Sequence, residues 1–193
     1  MEIIKEQLKK FIKNTEPSVF SLRGSWGVGK SFLWNNFIKD NKDDLVNNNY
    51  SYVSLIGINS LEELKRAIFE NMIKRESIGK LPDLSSFSEN TKDFFDKISN
   101  KEERKNTIFN AGHKASKFID KIPFLQNFSA SFDAISFMYV NNILICLDDI
   151  ERRGKDLDIK EIFGLCNYLK EQKCCKILII LNDVKENLSD YKE

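Results

Sequence analysis

The chain has 193 residues, 41% of them apolar and 31% charged, and its 30 basic and 29 acidic side chains nearly cancel. A domain of this size buries roughly 70% of the surface its unfolded chain exposes, so a full core is available and disordered or collagenous classes are excluded. Charge balance removes any general pull toward nucleic acid or anionic membrane, and leaves only a local patch open.

In chain order, Ile3, Ile4, Leu8, Phe11 and Ile12 recur at helical spacing while Lys5, Lys9, Lys10 and Lys13 lie off that stripe. This predicts an amphipathic helix whose lysines form a solvated face. The start at Met1 lacks an apolar signal core, and no run reaches the roughly 18 to 20 apolar residues that span a bilayer, so the expected location is the cytoplasm. The longest approach, Ile122 to Val140, is interrupted by polar residues and alternates from Phe128 to Phe132 as a strand or hairpin does.

After Pro17, the run Ser18 to Arg23 is β-prone and enters a glycine-rich turn. A second β-prone run, Tyr50 to Ile56, precedes Ser60-Leu61-Glu62-Glu63, a capping box that opens a helix to about Lys74. The chain then turns polar, and residues 75–140 are expected to form a surface insertion. Ile143 to Leu147 and Ile177 to Leu181 are continuously apolar, as strands buried on both faces of a parallel sheet are. Between them a helix from about Asp158 to Gln172 carries Ile159, Ile162, Phe163, Cys166 and Leu169 on one stripe. One domain over residues 1–193 follows, an α/β three-layer sandwich with a mainly parallel sheet. Cys146, Cys166, Cys174 and Cys175 match no zinc spacing and read as reduced thiols, and His113 has no partner at a motif spacing.

Chemistry enters at Gly24-Ser25-Trp26-Gly27-Val28-Gly29-Lys30-Ser31, a full G-x-x-x-x-G-K-[ST] match between a predicted strand and the helix-compatible Phe32-Leu33-Trp34. Such a P-loop curls so that successive amides, through Phe32, point at phosphate while the helix beginning near Lys30 adds its positive end. Lys30 is then the charge on the β and γ phosphates, and the Ser31 hydroxyl a magnesium ligand. Ile143 to Asp149 is an apolar strand ending in two carboxylates, the Walker B pattern, with Asp148 as the second magnesium ligand. Asp149 is the first candidate to orient the attacking water, and Glu151 can share that role. Asn182, at the end of the last apolar strand, is the candidate γ-phosphate sensor, or else a helix cap. A strand carrying such a residue between the two Walker strands defines the ASCE division of P-loop NTPases. Trp26 suits a base or partner contact or packing over the loop. Arg152 and Arg153 suit trans-acting charge or surface ion pairing.

Trp26-Gly27-Val28-Gly29-Lys30-Ser31 and Leu147-Asp148-Asp149-Ile150-Glu151-Arg152 resemble the WGxGKS and hhDDhDR motifs of KAP-type P-loop NTPases, which include bacterial phage-exclusion proteins. Glu151 stands where that family has aspartate, and the membrane helices that many members carry between the motifs are not evident here. The resemblance implies a cytoplasmic ATPase that uses ATP and Mg2+, with a role in antiphage defence. Because the sequence reaches Glu193 shortly after the fourth strand, a fifth strand beside the first and a helical lid are expected to be missing, as in a fragment of a larger protein or a minimal domain. The bare edge of the first strand would invite a second copy or an effector protein. The leading expectation is an ATPase that drives an effector. The alternatives are a nucleotide-dependent assembly switch that hydrolyses little alone, and a replication-initiator or helicase-loader ATPase acting on DNA, for which Asp148-Asp149-Ile150 is the basis.

Overall fold

The computed structural model describes residues 2–79, 137 and 139–182. His113, the Phe128 to Phe132 alternation, most of the expected insertion and the tail from Val184 lie outside the described residues. Helix α1 spans Glu2–Lys13, strand β1 Val19–Gly24, α2 Lys30–Asp40, β2 Asn49–Ser54, α3 Leu61–Glu70, β3 Met72–Lys74, β4 Leu144–Asp148, α4 Ile159–Lys173 and β5 Lys176–Asn182. Short 3-10 turns occupy Lys42–Asp44, Arg75–Ser77 and Ile150–Arg152. No described helix is long and apolar enough to cross a membrane.

The strands form one sheet in the order β1-β5-β4-β2-β3, parallel except for β3, which runs antiparallel to β2. Alternation along the buried strands sends successive side chains to opposite faces. Leu144 and Cys146 of β4 join Leu178 and Ile180 of β5 under α1 and α2, where Leu8, Ile12, Trp34 and Ile38 cover them. Ile145, Leu147, Ile177 and Ile179 face the other way, against Leu64, Ile68 and Phe69 of α3 and Ile162, Leu165 and Leu169 of α4. The α/β expectation with a mostly parallel sheet therefore holds. Trp34 is fully buried and donates its indole N–H to the Tyr50 hydroxyl at 2.8 Å. Truncating such a side chain to alanine costs about 3–5 kcal/mol.

Three local expectations change. The helix opened by Ser60 ends at Glu70, short of Lys74, because the Asn71 N–H closes on the Ala67 carbonyl and Met72 to Lys74 pair with β2 instead. Among the described residues the sheet accordingly has five strands, the extra one on the β2 edge. At the N-terminus of α3 the Glu63 amide bonds the Ser60 hydroxyl at 3.1 Å as expected, but the Glu63 carboxylate takes the Asn59 amide at 2.7 Å. A complete capping box forms at α4, between Asp158 and Glu161.

Lys176, at the start of β5, is buried and donates to the Ile12 carbonyl at 3.0 Å. That carbonyl belongs to the last turn of α1, where carbonyls lack intrahelical partners. The lysine thus ties α1 to the sheet from beneath. On the outer side of α1, Lys9 and Lys13 approach Asp44 at 3.4 and 3.1 Å, contacts of the exposed kind that add little stability.

Candidate functional site

The parallel strands deliver their carboxyl ends to one edge. Gly24 lies opposite Asn182 in the β1–β5 register, and Ser54 opposite Asp148 in the β2–β4 register. Between β1 and α2 the chain makes the glycine-rich turn. Gly27 and Gly29 have φ of 79° and 83°, the left-handed region that a side chain disfavours. Gly29 is the N-cap of α2 and no side chain caps that end. The first bond into the helix is from the Leu33 amide to the Gly29 carbonyl at 2.8 Å, so the amides before it have no partner within the helix.

Lys30 is buried, and its ammonium donates to the Gly24 carbonyl at 2.7 Å, the Ser25 carbonyl at 2.8 Å and the Asn182 side-chain oxygen at 2.6 Å. The Asn182 amide in turn donates to Glu151 Oε1. Glu151 Oε2 is buried and has no hydrogen-bond partner among the described residues. Lys30, Asn182 and Glu151 therefore form one polar line from the P-loop, across the end of β5, to the 3-10 turn after β4.

Asp148 ends β4 almost completely buried, yet it is braced. Its Oδ1 accepts from the Asp149 amide at 2.8 Å and its Oδ2 from the Tyr52 hydroxyl at 2.6 Å. Burial first, and the adjoining Asp148 carboxylate second, push the Tyr52 phenol above its ordinary pKa, so it stays a donor throughout the neutral range. Asp149 is left-handed at φ 56°; its Oδ2 accepts from Ser54 at 2.8 Å and its Oδ1 lies 4.0 Å from Arg152. It shares no partner with Lys30. Arg153 donates to the Leu157 and Ile150 carbonyls at 2.7 and 3.2 Å and so closes its own loop. Trp26 is 77% exposed, which removes packing over the loop as its role.

Tyr52 and Ser54 are the residues that sequence reasoning missed. They sit two apart on one face of β2, and only the β2–β4 pairing reveals which carboxylates they meet. The donor set suits magnesium: Asp148 keeps free lone pairs on both oxygens, and magnesium takes one or two protein ligands with the remainder from phosphates and water. No group of three or more His, Cys, Asp or Glu side chains gathers among the described residues. The buried thiols of Cys166 and Cys175 are pushed up by burial, to about 12 and about 11, and take no part in the site.

Comparison with curated proteins and with solved structures returned no match. The family model described as the KAP family P-loop domain matches residues 2–188, a span that takes in the glycine-rich turn, the braced carboxylates and Asn182. The chain therefore belongs to the KAP family of P-loop NTPase domains.

Proposed function

We propose that this domain binds ATP as its magnesium complex and hydrolyses it, using the nucleotide cycle to drive an effector protein or assembly. The observation that carries this reading is the Lys30–Asn182–Glu151 line, because it joins the group expected on the γ-phosphate to a desolvated carboxylate with one unengaged oxygen. Gly24 to Phe32 supply the amides and Lys30 the charge for the triphosphate, with Ser31 and Asp148 as magnesium ligands. The metal, when bound, neutralises charge on the β and γ oxygens. Glu151 takes the water-orienting role ahead of Asp149, whose carboxylate is engaged by Ser54 and Arg152. Asn182 holds Glu151 and senses the phosphate through Lys30. The position of β5 between β1 and β4 supports placement in the ASCE division. Motif resemblance to a family that includes phage-exclusion proteins is the basis for a role in antiphage defence.

The test is phosphate release measured beside calorimetric binding of ATP-magnesium. The Glu151→Gln variant is expected to bind like the parent and to lose about 10²- to 10⁴-fold in turnover, with Asp149→Asn losing less. Equal turnover by the parent and Glu151→Gln would overturn the assignment of Glu151, and binding without any phosphate release by the parent would overturn hydrolysis.

A further inference from the structure

A groove of about 690 Å³ opens between α1 and α2 and runs up to the P-loop. Its walls include Ile4, Leu22, Val28, Phe32, Leu33 and Asn36, and it shares Gly29 and Lys30 with the glycine-rich turn. Small-molecule sites occupy roughly 300–1,000 Å³ and are mostly apolar with a few placed polar groups, which describes this groove. The charges that line it are Lys5, Lys9, Arg23 and Lys30 against Glu6 and Asp40, an excess of cations that suits a ligand carrying phosphate. Phe32 and Val28 stand at its P-loop end, 75% and 63% exposed, two large apolar side chains presented to solvent beside an anion site.

The space around the P-loop is asymmetric. Toward β5 the Lys30–Asn182–Glu151 line occupies the edge of the sheet. Toward α1 the groove is open, and the Phe32, Asn36, Asp40 row of α2 extends along it for about 12 Å at the helical rise. We infer that this groove takes the nucleoside half of the nucleotide, with Phe32 as the aromatic surface on which the base stacks and Asn36 as the amide that reads its edge. The inference rests on the reading that the P-loop holds a triphosphate. Phosphates seated on the amides that open α2 leave the nucleoside to continue along α2, and the groove is the apolar channel that begins there. Asn36 carries both a donor and an acceptor, the pair that matches the edge of adenine.

The experiment compares calorimetric titration of the chain with ATP-magnesium and with tripolyphosphate-magnesium, which has the phosphates and no nucleoside. The parent should bind ATP at least about tenfold more tightly than tripolyphosphate. Phe32→Ala should weaken ATP by about 5- to 150-fold, the range of base–aromatic stacking, and weaken tripolyphosphate far less, because the Phe32 backbone amide remains. Asn36→Ala should narrow the preference for ATP over GTP. Equal parent affinities for ATP and tripolyphosphate, or equal losses for both ligands in Phe32→Ala, would overturn the groove assignment, and an unchanged ATP-to-GTP ratio in Asn36→Ala would remove Asn36 from it. Failure of the P-loop reading itself has a different signature: neither ligand binds, or Lys30→Ala leaves tripolyphosphate binding intact.

Discussion

The two lips of the site are built on opposite principles. The P-loop lip offers backbone amides on glycines with positive φ, and its side chains Trp26, Val28 and Phe32 are exposed. The carboxylate lip offers side chains, the buried Asp148 and the half-buried Asp149, each held by a hydroxyl from β2. One lip needs only local conformation to make anion-binding geometry, whereas the other needs a neighbouring strand in register. The difference teaches where substitutions should hurt: at Lys30 on the first lip, and in the supporting strand on the second.

Lys30→Ala should have the largest effect, a loss of more than about 100-fold in ATP-magnesium affinity by calorimetry, because amides alone cannot replace a point charge on the β and γ oxygens. Unchanged affinity would mean that the backbone lip is self-sufficient. Next comes Tyr52→Phe, which strips Asp148 of one donor. It should raise the magnesium concentration needed for nucleotide binding by about 10-fold, with the fold intact by circular dichroism. Ser54→Ala, acting on Asp149, should shift that requirement less. If neither substitution changes magnesium dependence, the hydroxyls on β2 do not support the metal ligand. The smallest effect belongs to Trp26→Ser: with the indole exposed, denaturant unfolding should move by no more than about 0.5 kcal/mol.

The same contrast explains how much could be read from the sequence. The G-x-x-x-x-G-K-S run and the apolar strand ending in Asp148-Asp149 are contiguous, so local spacing carries them, and both fall where expected. Asn182 also falls at a strand end, and its contact with Lys30 spans 152 positions that no local pattern encodes. In sequence Tyr52 is one more β-prone aromatic, and its contact with Asp148 exists only because β2 lies beside β4. Strand β3 is not separable from the preceding helix by sequence, because Met72 and Ile73 are apolar in either conformation and the Asn71 cap between them leaves no strong sequence mark. That Asn182 reaches Glu151 and not Asp149 is likewise a tertiary fact.

Lys176 has a consequence of its own. Burial holds its pKa below the ordinary 10.5, and acylating reagents cannot reach the amine while the end of α1 sits over it. The rate at which this lysine is labelled therefore times the detachment of α1 from β5, as a chemical clock written into the fold. Since α1 forms one wall of the groove beside the P-loop, any ligand that bridges α1 and α2 should slow that clock, and mass spectrometry of the acylated Lys176 peptide would report it.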